Sequence, residues 1–118
     1  MINILLVEDE PEIAMLTQDL LMEEFKTPNV IWVKDGVEGM RVSETFDFDV
    51  LVLDVKMPRM TGTQLAERLS KPYIFWTGFF CDANWKDMPT NVPVVHKPNF
   101  EELKPAIEEV INVNSERL

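Results

Sequence analysis

Polar side chains that together could handle a phosphate-like group follow four short apolar runs of this sequence. They are Glu8 and Asp9, then Asp54, Thr77 and Lys97. Three carboxylates held close together repel one another unless a cation lies between them, and oxygen ligands with room for water suit Mg²⁺ rather than zinc. A lysine and a hydroxyl at the same place supply donors for an anionic group. These are the parts that phosphoryl transfer needs, because that reaction depends on positioning and charge neutralisation.

Asp54 ends the most prominent of these runs. Residues 50–53 are apolar without a polar interruption, which is typical of a strand covered on both faces. Pro58 and Gly62 prevent simple continuation as strand or helix. Asp54 is therefore predicted at the carboxyl end of a central strand, on the rim where ligands collect in open α/β sheets. Read alone, the same pattern also fits an aspartate that only caps a turn.

Short apolar runs alternate along the chain with segments of helical character. The runs predict strands at 2–7, 30–33, 50–53, 73–76 and 94–96. The segments predict helices at about 11–25, 37–44 and 63–69 and from 99 onward. This alternation predicts an α/β fold in which helices cover both faces of a mostly parallel sheet. In such a sheet the carboxyl ends of the strands share one edge, so the polar side chains above would meet there.

Two helices carry more detailed predictions. In the last helix, Asn99 followed by Glu102 resembles a capping box, and Pro105 should kink the helix or force a tight first turn. In the first helix, one buried face is predicted from four apolar residues at helical spacing, namely Ile13, Leu16, Leu20 and Leu21.

Composition narrows the classes of partner. The 118 residues carry a net charge of −10, from 21 acidic and 11 basic side chains, so nucleic acid is not an expected partner. No apolar run approaches the roughly 18 residues of a membrane span. The lone Cys81 cannot form an internal disulfide, which indicates a reducing cytoplasm. Without repeats or linkers, a single domain is predicted to fill residues 1–118, with no effector domain.

Four short motifs stand at the predicted strand ends. Residues 7–11 read Val-Glu-Asp-Glu-Pro, residues 54–58 read Asp-Val-Lys-Met-Pro with Gly62 after them, and Thr77-Gly78 and Lys97-Pro98 follow. Each motif is weak alone, but in this order and at these separations they resemble the receiver domain of response regulators in two-component signalling. The resemblance covers nearly the whole chain. It implies a flavodoxin-like, doubly wound sheet of five parallel strands in the order 2-1-3-4-5.

The resemblance also implies a Mg²⁺ site. Asp9 and Asp54 would bind the ion directly and Glu8 would bind it through water. The backbone carbonyl of Lys56 would complete the protein ligands. Magnesium is the only cofactor that the resemblance implies.

A phosphoryl group is the implied signal. Asp54 would attack the phosphorus of a phosphohistidine on a sensor histidine kinase or a histidine phosphotransfer protein. Lys97 would pair with the phosphoryl oxygens, and its bond to Pro98 is expected to be cis. Thr77 would move toward the phosphoryl group and report its presence. The chain would act as a monomer through protein–protein contact, with no enzymatic activity beyond Mg²⁺-dependent self-phosphorylation and self-dephosphorylation.

Two features depart from the family pattern. Receivers usually carry Tyr or Phe three residues before the lysine, where this chain has Val94. The segment 79–93 has Pro89 and Pro93 and no apolar stripe, so the family's fourth helix is predicted to be short, irregular or absent. This resembles a receiver subgroup with a Phe-Ala-Thr-Gly-aromatic fourth strand. We hypothesise that phosphorylation orders or redirects the segment, with Trp85 as a partner-facing anchor.

Other functional classes stay open. A phosphatase of the haloacid-dehalogenase type also begins with an Asp after an apolar strand, but it needs a second Asp two residues later, where Lys56 stands. A phosphorylation-independent interaction module on the same fold would bind a partner without accepting phosphate. A phosphoryl sink would drain a shared pathway. Phosphorylation of Asp54 in the presence of Mg²⁺ separates the interaction module from the other readings.

Overall fold

A parallel sheet with helices on both faces forms the protein. The computed structural model describes residues 2–55, 60–78 and 92–116. Every strand pair is parallel, and the strand order is β2-β1-β3-β4-β5, which confirms the predicted fold. The elements in chain order are β1 (Ile2–Val7), α1 (Pro11–Glu24), β2 (Pro28–Val33), α2 (Gly36–Ser43), β3 (Val50–Leu53), α3 (Gly62–Arg68), β4 (Tyr73–Thr77), β5 (Val94–His96), a 3₁₀ turn (Phe100–Glu102) and α4 (Leu103–Glu116).

Several sequence predictions fall on residues that the structure does not describe. They concern the carbonyl of Lys56, the thiol of Cys81, Trp85, and the part of the irregular segment from 79 to 91. The position of the family's fourth helix lies in that last range. These predictions stay predictions.

The apolar strands are explained by burial on both faces of the sheet. Successive side chains of a strand point to opposite faces. Ile4 and Leu6 of β1 therefore pack in a cluster with α1 and α4, whereas Leu5 and Val7 pack in a second cluster with α2 and α3. The four residues of β3 alternate in the same way and are all fully buried. Because β3 is packed on both faces, the positions of its end and of the adjoining Asp54 are fixed relative to the rest of the sheet.

The buried face of α1 differs from the predicted stripe. Of the predicted residues, Leu21 is fully buried and Leu20 packs against the core, but Leu16 is 57% exposed. Ala14 and Thr17 are buried as well. Thr17 is tolerated in the core because its hydroxyl donates to the Ile13 carbonyl and accepts from a distant buried indole. A pattern of apolar residues cannot reveal that a polar side chain has a partner, so the prediction included Leu16 and left out Thr17.

Helix starts also differ in detail from the predictions. The predicted capping box at Asn99 is wrong, because its side chain caps nothing and the chain enters α4 through the 3₁₀ turn. Pro105 then lies in the first turn of α4, where its missing N–H costs no helical hydrogen bond. An unforeseen capping box joins Thr61 and Gln64 at the start of α3. None of the helices in the described ranges is long and apolar enough to cross a membrane.

Candidate functional site

Backbone hydrogen bonds hold the candidate site residues in register just beyond the strands. The N–H of Asp54 donates to the carbonyl oxygen of Val7, the last residue of β1, over 3.2 Å. The N–H of Lys97 donates to the carbonyl oxygen of Thr77, the last residue of β4, over 2.9 Å. The peptide bond between Lys97 and Pro98 is cis, as the resemblance predicts. The sheet itself therefore sets where these side chains begin.

The ammonium group of Lys97 lies between two buried carboxylates. Its Nζ is 2.6 Å from Oε2 of Glu8 and 2.9 Å from Oδ2 of Asp54. Glu8 is fully buried, Asp54 is 3% exposed, and the Lys97 side chain is 12% exposed. Residues that follow β1, β3 and β5 thus meet at one point, as the sequence predicted for this edge of the sheet.

Burial and charge act on this group in opposite directions. Burial raises the pKa of Glu8 to about 7, although the hydrogen bond and charge of Lys97 act to lower it. Burial acts to lower the pKa of Lys97, but the two carboxylates, Asp54 first, outweigh it, so the net pKa of Lys97 is raised. Lys97 is accordingly a firmly charged cation between the two carboxylates.

A compact acidic group follows β1 beside this pocket. Glu8, Asp9 and Glu10 can each place one carboxylate oxygen within 4.8 Å of the others. The N–H of Glu10 also donates to Oε1 of Glu8 over 3.3 Å. All the possible donor atoms are carboxylate oxygens, and two of the three residues, Asp9 and Glu10, are exposed. Negatively charged oxygen donors of this kind suit a hard dication such as Mg²⁺. The chemistry of these donors fits the predicted metal.

The loop after Asp54 is held by close backbone contact. The N–H of Gly62 donates to the carbonyl oxygen of Val55 over 2.9 Å. A Cβ built on Gly62 would overlap the carbonyl oxygen of Asp54, so no larger residue fits there without a shift of the main chain. The sequence predicts Gly62 as a break after the strand and as part of the motif that follows Asp54. The structure adds that Gly62 lets the start of α3 lie against the Asp54 peptide.

The structure brings together most of the sequence-predicted residues that it describes. Glu8, Asp54 and Lys97 are in contact, while Thr77 is fully buried at the end of β4 with its carbonyl bound to the Lys97 backbone. Asp9 is exposed beside Glu8. The predicted metal ligand set of Glu8, Asp9, Asp54 and Lys56 stays a prediction.

Two residues near the site were missed. Glu10 belongs to the acidic group, and the acidic run that it completes was a usable signal. Trp32 lies in the predicted strand 30–33, and its indole N–H donates to the carbonyl oxygen of Glu8. No sequence signal reveals that contact, because it depends on how β2 is placed beside β1.

Relatives in sequence share the part of the chain that carries most of this site. The model of the response regulator receiver domain family matches residues 4–78, a range that includes Glu8, Asp9, Asp54 and Thr77. The transcriptional activator protein IrlR of Burkholderia pseudomallei is 39% identical over 79 residues, which are 64% of this chain and 34% of that protein. The chain therefore spans about a third of the length of this relative.

Solved structures show the same fold over the full chain. A response regulator receiver domain protein from Clostridium thermocellum superposes with a TM-score of 0.84 at 22% identity, and 100% of each chain is covered. The signal receiver domain of an HD domain-containing protein from Pseudomonas fluorescens Pf-5 gives 0.85 at 21% identity, with 98% of each chain covered. The sequence match and the parallel sheet agree: the chain belongs to the response regulator receiver domain family.

Proposed function

We propose that this chain is a phosphoacceptor receiver of a two-component or phosphorelay pathway, in which Asp54 takes a phosphoryl group from the phosphohistidine of a partner. The observation that carries the proposal is the contact of the Lys97 ammonium with Asp54 at 2.9 Å and with Glu8 at 2.6 Å. A nucleophilic carboxylate, a fixed cation and a second carboxylate thereby share one edge of the sheet. Membership of the receiver family supports the same function.

The proposed transfer exchanges one bond to phosphorus for another. A carboxylate oxygen of Asp54 bonds to phosphorus while the bond from phosphorus to the imidazole nitrogen breaks, and the nitrogen keeps the electron pair. Lys97 already contacts the accepting carboxylate, so it can pair with a phosphoryl oxygen afterwards. Thr77, buried at the end of the neighbouring strand, would turn its hydroxyl toward the new charge.

The proposed metal ligands are Glu8, Asp9, Asp54 and the carbonyl of Lys56, with Glu10 as an added member of the acidic group. Bound there, Mg²⁺ would neutralise charge on the transferring phosphoryl oxygens. Lys97 supplies one positive charge, whereas Asp9 and Glu10 add two carboxylates beside Glu8 and Asp54, so the acidic group as a whole keeps an excess of negative charge. That excess favours a cation.

Mass spectrometry after incubation with Mg²⁺ and acetyl phosphate tests the proposal. We expect the intact protein to gain the mass of one phosphoryl group and Asp54→Asn to gain none. Asp47→Asn is the matched control, because Asp47 is 91% exposed and pairs only with Lys71 among the contacts described for its side chain. No gain in the unaltered protein would contradict the proposal and favour the phosphorylation-independent interaction module.

Partner and output follow from the same proposal. The phosphoryl donor would be a sensor histidine kinase or a histidine phosphotransfer protein, and the output would be protein–protein contact by a monomer.

Residues 75–79 read Phe-Trp-Thr-Gly-Phe, which supports membership of the subgroup with a Phe-Ala-Thr-Gly-aromatic strand. Phosphorylation would then order or redirect the segment 79–93. Amide exchange in that segment that is unchanged by beryllofluoride would contradict this part of the proposal.

A further inference from the structure

The indole of Trp32 is bound to the acidic loop that follows β1. Its Nε1–H donates to the carbonyl oxygen of Glu8 over 2.8 Å. The N–H of Glu8 in turn donates to the carbonyl oxygen of Val33 over 3.1 Å. The last two residues of β2 therefore hold both backbone polar groups of Glu8. β2 is an edge strand that contributes no other residue to the candidate site.

The carbonyl that Trp32 binds belongs to the peptide group that joins Glu8 to Asp9. A peptide group is planar, so fixing its oxygen fixes the direction in which the chain leaves Glu8. The Glu8 side chain must reach Lys97 from a fully buried position, while Asp9 must lie on the exposed side. A rotation about ψ of Glu8 that is not compensated by φ of Asp9 would change the direction of the Asp9 carboxylate relative to that of Glu8.

We propose that Trp32 is a positioning residue for the acidic pair, whose indole N–H holds the Glu8–Asp9 peptide in the orientation that binds Mg²⁺. The inference rests on the proposed function and extends it to a residue on β2. The competing explanation is that the indole only satisfies its own N–H, as partly buried tryptophans commonly do. In that case loss of the N–H would change stability but not metal affinity.

Binding of Mn²⁺, followed by electron paramagnetic resonance of the free ion, distinguishes the two explanations. We expect Trp32→Phe to bind Mn²⁺ about tenfold more weakly, the lower end of the effect of losing a residue that orients metal ligands. The matched control is Trp76→Phe, whose indole donates to Oγ1 of Thr17 instead, and it should stay within about twofold of the unaltered protein. Unfolding in urea without metal reports the stability of each variant separately.

A measurement on the unaltered protein keeps the inference testable if Trp32→Phe does not fold. In a Mg²⁺ titration followed by proton–nitrogen NMR, the indole resonance of Trp32 should shift with the binding curve, and that of Trp76 should shift less. A Trp32 resonance that stays in place overturns the inference, and so does Mn²⁺ affinity unchanged in a folded Trp32→Phe. Absence of Mn²⁺ binding by the unaltered protein instead overturns the proposed metal site, and the role of Trp32 with it.

Discussion

The ammonium group of Lys97 contacts two carboxylates, that of Glu8 after β1 and that of Asp54 after β3. Glu8 and Asp54 are both nearly inaccessible, so each would lose hydration without gaining a compensating charge if the lysine were absent. The contact with Lys97 also holds Oδ2 of Asp54 in place, 2.9 Å from the ammonium nitrogen. The same side chain thus stabilises the fold and prepares the proposed phosphoacceptor.

Replacing Lys97 by Met tests this dual role. In metal-free buffer we expect Lys97→Met to lower the free energy of unfolding by about 3 kcal/mol, at the low end for a broken buried pair because Glu8 can take up a proton. Urea denaturation measures the change. Lys71→Met is the control, since its pair with Asp47 is exposed and should be worth less than about 1 kcal/mol. Equal losses in the two variants would contradict the role of Lys97.

At the scale of the secondary-structure elements, a buried hydrogen bond joins helix α1 to strand β4. Nε1 of Trp76 donates to Oγ1 of Thr17 over 3.1 Å, across 59 positions of sequence. The Trp76 ring also packs edge-on against Phe100 in the 3₁₀ turn, with centroids 5.1 Å apart. Trp76 therefore connects α1, the helix that follows the acidic loop, to the 3₁₀ turn that follows Lys97. Trp76 also directly precedes Thr77 in the chain.

A double-mutant cycle measures the strength of this link. Thr17→Val keeps the shape but leaves the Trp76 indole N–H without this acceptor, so we expect a loss of about 1–3 kcal/mol in the free energy of unfolding. In the background of Trp76→Phe the same change should cost about 1 kcal/mol less, because no donor is left to be stranded. Additive effects would show that the hydrogen bond carries no stability of its own.

Helix α3 starts against the peptide of Asp54, and Gly62 makes that approach possible. We expect Gly62→Ala to destabilise the protein by about 3 kcal/mol or more, because the new methyl group meets the Asp54 carbonyl rather than a side chain that can move. Thermal or urea unfolding gives the value.

Gly39→Ala is the control for this substitution. The atom nearest its new Cβ would be a methyl of Leu65 at 3.2 Å, which can shift, and alanine also favours the helix by about 1 kcal/mol. We expect the loss in free energy of unfolding to be at least about 2 kcal/mol smaller for Gly39→Ala than for Gly62→Ala. A similar cost at both positions would contradict the special role of Gly62.

The strands and helices of this protein are recognisable in its sequence for a physical reason. Strands such as Val50–Leu53 are buried on both faces, so the whole run must be apolar and is easily recognised. The buried face of α1 was predicted only in part, because the burial of Thr17 depends on Trp76, a residue distant in sequence. Periodicity reports which residues are apolar, not which polar residues have found a partner.

At the scale of the whole molecule, the sequence predicts which residues meet in the candidate site but not which of their atoms are in contact. Parallel strands bring their carboxyl ends to one edge, so the convergence of Glu8, Asp54 and Lys97 followed from the order of elements. Which atoms touch did not follow. The bridge that Lys97 forms and the indole of Trp32 on the Glu8 carbonyl depend on register and rotamers that no spacing encodes.

The net charge of −10 makes the whole molecule responsive to cations, so a site-specific effect of Mg²⁺ must be separated from screening. A ligand that binds only the native state at 100 times its Kd should raise the free energy of unfolding by about 2.7 kcal/mol. We expect Mg²⁺ to do so relative to NaCl of equal ionic strength. Asp9→Asn should lose this difference, whereas Glu23→Gln, an exposed change of the same charge on α1, should keep it. Equal stabilisation by the two salts in urea unfolding would show that screening alone acts and that the acidic loop holds no metal.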